Sequence, residues 1–184
     1  PTVDGLNIKP DGIYVDVTFG GGGHSKEILR RLGQNGKLFA FDQDEDALAN
    51  ALPDERFTLI NENFRFIKRF LRFHGVKSVD GILADLGVSS HQFDVPERGF
   101  STRFDAELDM RMSQKNDFSA YRVVNEYEEQ DLRRVFFDYG ELKNAPLLSR
   151  TIVEAREHYP IKTTDELKDV LAKFLPERVK NKIL

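Results

Sequence analysis

The residues best suited to chemistry lie in a few short stretches. The stretch Ile13 to Ser25 (IYVDVTFGGGGHS) combines an acid, Asp16, a hydroxyl, Thr18, four consecutive glycines, Gly20 to Gly23, and the polar pair His24 and Ser25. A glycine run reaches positive φ without strain and lets a ligand approach the main chain with no Cβ in the way. Asp42 ends the run KLFAF, twenty residues after Gly22, and Phe64 follows FTLI and Asn61-Glu62-Asn63. Asp85 interrupts the apolar run GILADL, ahead of Ser89, Ser90, His91 and Gln92. Backbone N–H groups, a carboxylate at ribose distance and an aromatic ring together suit a nucleotide-like ligand.

The glycine run narrows the ligand. A phosphate-binding P-loop needs Lys and then Ser or Thr after its last glycine, and here His24 and Ser25 follow. A dinucleotide fingerprint counted from Gly20 takes in Gly22 but meets Ser25 where Gly or Ala is wanted. A bare turn with no ligand would not need four glycines, each of which loses much conformational freedom on folding. Asp42 sits where a carboxylate accepts hydrogen bonds from ribose hydroxyls, while Asp44 is the better helix cap. Asp85, read as an acid buried in a strand, needs a partner or a role. Ser89, Ser90, His91 and Asp85 do not make a hydrolase triad, because the strand–turn–helix nucleophile motif is absent.

These groups must be held by alternating strands and helices. Strands are expected at Ile13–Val17, Lys37–Phe41, Phe57–Ile60 and Gly81–Leu86, the last apolar enough for burial on both faces. Helices are expected over the KEILRRL run from Lys26, over Asp44–Leu52 and over Phe66–His74 with Gly75 as its stop. Short βαβ connections imply a parallel sheet, placed in the order 3-2-1-4 with the strand ends converging on one crevice. Gly87–Ser101 reads as a polar loop. Helical segments follow at about Ala120–Val124, Glu128–Tyr139, Ala145–Glu157 and Thr164–Phe174, with a basic turn at Arg178–Lys182.

Composition sets limits. The 184 residues are 40% hydrophobic and contain no cysteine, which excludes a disulfide framework, a thiolate metal site and the zinc-dependent base deaminases. No metal is expected at the site. No apolar run approaches a membrane span and no signal-peptide pattern opens the chain, so the expectation is a cytoplasmic protein away from membranes. A net charge of −4 argues against non-specific coating of nucleic acid but leaves room for a local basic face. Arg65, Lys68, Arg69 and Arg72 fall at helical spacing and make such a face, suited either to solvent or to RNA phosphate. Asp109 and Arg111 suit an internal ion pair or an RNA-facing lip.

Five motifs in order resemble the bacterial RsmH (MraW) family: DVTFGGGGHS from Asp16, Phe41-Asp42, DGILADLGVSS from Asp80, ERGFS from Glu97 and LDMRM from Leu108. His91 departs from it, standing where relatives often carry Pro. The resemblance implies a Rossmann-like class I fold and S-adenosylmethionine-dependent methylation of the N4 amine of a cytidine in small-subunit (16S) ribosomal RNA. Residues 1–104 would form the cofactor domain and 105–184 a helical substrate-recognition insertion. Cofactor residues by resemblance are Gly22, Gly23, His24, Asp42, Phe64, Asp85 and Gln92. Asp85, Ser89 and Ser90 are the candidates for gripping the cytosine amine. Partners would be the RNA or its ribosomal subunit. An NAD-linked oxidoreductase and a non-catalytic RNA-binding module are the rival readings. The family adds C-terminal strands that this sequence lacks. The expectation is therefore a truncated chain of reduced activity, with the fourth strand's edge exposed, covered by helices or paired with another copy as a homodimer.

Overall fold

The computed structural model describes residues 2–172. Four short parallel strands, β1 (Ile13–Asp16), β2 (Lys37–Phe41), β3 (Phe57–Ile60) and β4 (Gly81–Leu83), pair in the order β3-β2-β1-β4. The register aligns Tyr14 with Leu38 and with Gly81, and Phe41 with Ile60. The fold is thus the α/β, Rossmann-like sheet expected from the sequence, with its order 3-2-1-4.

Side chains alternate across the strands, and each face has its own helix. Tyr14, Leu38 and Leu83 pack with Ile28, Leu29 and Leu32 of α1 (Gly23–Arg31) and its end, and with Val3 of the 3-10 turn Thr2–Leu6. Val15, Val17, Phe39, Phe41 and Ile60 pack on the other face against Ile67, Phe70 and Leu71 of α2 (Ile67–Phe73). The two central strands are covered on both faces. The sheet's lower end is tied by Asp80, which accepts the Ile13 N–H at 2.9 Å and pairs with Lys9 at 2.9 Å.

Three local expectations are corrected. The helix expected over Asp44–Leu52 is a 3-10 segment, Glu45–Asn50, still capped by the Asp44 side chain on the Asp46 N–H at 3.2 Å. Pro53 favours extended backbone in the residue before it and stops the segment from growing. The helix expected from Phe66 starts as a 3-10 turn, Phe64–Phe66, before becoming α2, and it ends with Gly75 at φ 72°. The strand expected over Gly81–Leu86 stops at Leu83, and burial on both faces does not hold. Leu83 is buried, but Ile82 is 52% and Leu86 72% exposed. The reason is topological: β4 pairs with β1 alone, and its outer edge carries no strand among the described residues.

The chain divides into two compact units, one running to Ser89 and taking in Met112–Gln114, the other running over Ser90–Arg111 and from Lys115 on. The division falls earlier than the 104/105 boundary expected from the sequence. Within the second unit, the Met110 N–H donates to the Arg98 carbonyl at 3.0 Å and the Arg98 guanidinium donates to the Arg111 carbonyl at 2.9 Å. These bonds tie the Ser90–Gly99 stretch to the backbone at Met110 and Arg111. That stretch, expected as loop, holds the short helix α3 (Ser90–Asp94) and a 3-10 turn, Pro96–Arg98.

The second unit is helical and has its own core. Leu108, Val124, Leu132, Leu148, Ile152, Ile161, Val170 and Leu171 form it. They come largely from α4 (Ala120–Glu126), α5 (Glu129–Arg134), α6 (Ala145–Arg156) and α7 (Thr164–Ala172). The single helix expected over Glu128–Tyr139 is instead α5 followed by a π-helical turn, Val135–Tyr139. The Arg156 guanidinium donates to the Val124 and Tyr127 carbonyls and satisfies the end of α4. Asp109 and Arg111 form an internal ion pair at 2.7 Å, and the guanidinium beside Asp109 holds its carboxyl below the usual range. The end of the helix expected to Phe174 and the basic turn Arg178–Lys182 lie outside the described residues.

Candidate functional site

The carboxyl ends of β1 and β2 carry a connected polar network. Asp16, the last residue of β1, alternates onto the face of Tyr14, which is the face that α1 covers. Ser25, in the first turn of α1, therefore reaches it, and the Ser25 hydroxyl donates to Asp16 Oδ2 at 2.7 Å with both residues fully buried. Asp16 Oδ1 accepts the Thr18 N–H at 3.1 Å. Burial pushes the Asp16 carboxyl up, opposed by the bonds from Ser25 and Thr18.

The glycine loop runs between these two anchors. The Phe19 N–H donates to the Phe41 carbonyl at 3.0 Å and the Gly22 N–H to the Phe19 carbonyl at 2.8 Å, which folds the loop tightly over β2. Gly20 has φ 50° and Gly22 φ 75°, in the left-handed region that favours glycine. A Cβ on Gly22 would also lie 3.0 Å from the Phe19 ring. At Gly21 and Gly23 a Cβ would meet nothing within 4 Å, so the main chain there faces open space. Among the described residues no side chain caps the start of α1. Its first N–H groups, with the positive end of the helix dipole, stand beside that open stretch.

Asp42 follows β2 and holds the loop from the other side. Its Oδ2 accepts the Gly20 N–H at 2.7 Å and its Oδ1 the Asp44 N–H at 2.9 Å. A carboxylate has about four acceptor directions, so two bonds leave capacity for hydroxyl donors. Amides surround it. The Asn61 side chain donates to the Asp42 carbonyl at 3.0 Å, Asn63 to the Gln43 side chain at 2.8 Å, and Asn50 to the Gly20 carbonyl at 3.1 Å. Phe64 begins the 3-10 turn capped by Asn63 and is 41% exposed, so its ring is available rather than buried in the core.

The end of β4 is built differently. Asp85 was expected to be buried, yet its side chain is 70% exposed because the chain leaves the sheet after Leu83. Its backbone N–H donates to the Thr18 hydroxyl at 2.8 Å, which joins this loop to the loop after β1. His24 Nδ1 lies 3.9 Å from Asp85 Oδ2, a half-buried imidazole beside an exposed carboxylate at the start of α1. Ser89 closes the first unit, while Ser90 and Gln92 belong to α3 of the second, where Gln92 is buried. Six of the residues singled out, Gly22, Gly23, His24, Asp42, Phe64 and Asp85, thus share one unit with its strand ends. Asp16, Ser25, Asn61 and Asn63 support these loops with hydrogen bonds that local sequence patterns do not reveal. For Asp16 the one hint was its place on the Tyr14 face, nine residues ahead of a hydroxyl.

The sequence profile of the MraW methylase family matches residues 1–184. The chain belongs to the MraW methylase family. Relatives carrying the name ribosomal RNA small subunit methyltransferase H agree with it. That of Flavobacterium johnsoniae is 92% identical over all of this chain and 61% of its own length. That of Flavobacterium psychrophilum is 75% identical over all of this chain and 63% of its own. That of Bacteroides thetaiotaomicron is 55% identical over 92% of this chain and 56% of its own. This MraW methylase family chain therefore spans about three fifths of the length of the curated relatives it matches. Among its described residues no helix is long and apolar enough to cross a membrane.

Proposed function

We propose that this chain acts as an S-adenosylmethionine-dependent methyltransferase on the N4 amine of a cytidine in small-subunit ribosomal RNA. The observation that carries the reading is the pairing of an open glycine main chain at Gly21 and Gly23 with a carboxylate, Asp42, bonded to the same loop. A cofactor with an amino-acid tail, a ribose and an adenine fits these donors and acceptors. Gly22, Gly23 and His24 offer main chain at the helix start, Asp42 accepts from the ribose hydroxyls, and Phe64 offers a ring to the adenine. Bound there, S-adenosylmethionine supplies an electrophilic methyl group on a sulfonium.

The work left to the protein is positioning. The cytosine amine is a weak nucleophile because its lone pair is conjugated with the ring. It has to be lifted from its stack and hydrogen-bonded so that the lone pair faces the methyl group. Asp85, exposed at the end of β4 beside His24, is the acceptor best placed for that amine, with Ser89 and Ser90 following it. Gln92 is assigned to the cofactor by resemblance to the family. The helical unit takes the part of RNA recognition, and the working place is the small ribosomal subunit in the cytoplasm.

The test is methyl transfer. The protein is incubated with methyl-labelled S-adenosylmethionine and small-subunit ribosomal RNA, or the subunit itself, and the RNA is digested to nucleosides. The reading predicts label in N4-methylcytidine. Label in another nucleoside, or none, contradicts it.

A further inference from the structure

The exposed face of α2 stands apart from the charged surface of the rest of the chain. Between Asn63 and Val79 the sequence has Arg65, Lys68, Arg69, Arg72 and Lys77 but no acid, in a protein whose net charge is −4. Elsewhere the arginines are largely matched: Arg30 and Arg31 with Glu27, Arg56 with Asp54, Arg111 with Asp109, and Arg122 with Glu126. Among the described residues Arg65, Lys68, Arg69 and Arg72 form no ion pair, and all four are exposed. The face is fixed by packing. Ile67, Phe70 and Leu71 turn into the core under β1, β2 and β3, so Lys68, Arg69 and Arg72 must turn outward together.

Two further features point to one kind of partner. Phe73 is 83% exposed at the end of this face, and with Lys68, Arg69 and Arg72 it lines a shallow depression of about 510 Å³. A large exposed ring beside planar guanidinium groups offers stacking and phosphate contacts at once, the combination that holds unpaired nucleotides. The face also starts at the candidate site. Asn63, which touches Gln43 next to Asp42, caps the turn carrying Phe64 and Arg65, and α2 runs on from there.

We infer that the outer face of α2 is an RNA-docking track, on which Arg65, Lys68, Arg69 and Arg72 meet successive backbone phosphates and Phe73 stacks on an unpaired base. The inference rests on the RNA-methylating function proposed above and says which surface of the first unit holds the substrate strand. An acidic protein would match the charge but would gain little from the exposed ring.

The test compares wild type with Lys68→Glu/Arg69→Glu/Arg72→Glu and with the milder Lys68→Gln/Arg69→Gln/Arg72→Gln. Binding to a small-subunit ribosomal RNA transcript is measured across a range of KCl. Binding of S-adenosylmethionine and far-UV circular dichroism report on the fold. The side chains are exposed, so fold and cofactor affinity should persist in both variants. RNA affinity should fall by about tenfold or more at low salt, and the slope of log K against log salt should shrink by about 2 for three lost phosphate contacts. Phe73→Ala should weaken binding with the slope unchanged. Variants with wild-type RNA affinity and slope would overturn the track alone. Wild type that does not bind the transcript would overturn both the track and the RNA function beneath it. Wild type that binds an acidic protein through this face, with RNA affinity unmoved by the substitutions, would also overturn the track.

Discussion

The loops after β1 and β2 and the loop after β4 leave the same edge of one sheet, yet they are held in different ways. The first two are locked to each other and to α1. Asp42 bonds the Gly20 N–H, Ser25 bonds Asp16, and Phe19 bonds the Phe41 carbonyl. The third is anchored to them by the Asp85 N–H on the Thr18 hydroxyl, while Asp85 and Leu86 stand in solvent. The physical cause is the sheet order. β1 and β2 are central and buried on both faces, so their ends inherit a rigid support, whereas β4 has one neighbour among the described residues. A cofactor site needs preorganisation, and Gly22, Gly23, His24 and Asp42, proposed for the cofactor, lie on the rigid side. Asp85, proposed to meet the RNA base, lies on the open side.

The largest effect on this contrast is expected from Asp16→Ala. It orphans the buried Ser25 hydroxyl and the Thr18 N–H, at about 1–3 kcal/mol for each unsatisfied group, so the first unit should lose stability in chemical denaturation by about 2–6 kcal/mol. Asp16→Asn keeps the shape and should cost less. Its pH dependence has a definite sign. Burial raises the folded carboxyl above its ordinary 3.8. Wild type therefore gains stability relative to the Asn variant as pH falls through the raised value, and loses it as pH rises.

Next in size is Asp42→Ala. Loss of a hydrogen bond to a charged acceptor costs about 1.5–3 kcal/mol, so S-adenosylmethionine should bind about one to two decades more weakly by calorimetry. Unchanged affinity would remove Asp42 from the site. Gly22→Ala follows. Left-handed backbone costs an L-residue about 1–2 kcal/mol, and the new Cβ must also displace the Phe19 ring, so the melting temperature and cofactor affinity should both fall. The smallest effect on the fold is expected at Asp85. Asp85→Asn on the open side should change stability by no more than about 0.5 kcal/mol. Methyl transfer to RNA should nonetheless fall by about 10-fold, because an amide oxygen is a weaker acceptor than a carboxylate. A fall in stability to match Asp16→Ala would erase the contrast between the two sides.

The same contrast explains what the sequence made legible. β1, β2 and β3, the glycine turn and the position of Asp42 were readable because strand alternation and turn chemistry are local. The order 3-2-1-4 followed from short right-handed crossovers. GILADL misled because an apolar run records the burial a strand can accept, and among the described residues β4 has no second neighbour to cover Ile82 and Leu86, which no local pattern encodes. Asp85 was misjudged for the same reason. The Asp16–Ser25 bond was hidden because it joins a strand to a helix across a turn. The split of Glu128–Tyr139 into α5 and a π-helical turn depends on packing that hydrophobic spacing does not carry. The helix at Ser90–Asp94 reads as loop in the sequence because it is polar and short, and its burial of Gln92 is decided by tertiary packing.

The glycine loop and the tip of β2 are proposed as a preformed site for S-adenosylmethionine. Amide hydrogen exchange, followed by mass spectrometry with and without the cofactor, tests it most directly. Saturable protection of the amides from Gly20 to Ser25 and from Asp42 to Asp44 is expected, with NAD giving none. Unchanged exchange in both stretches at saturating S-adenosylmethionine, or equal protection by NAD, would contradict it.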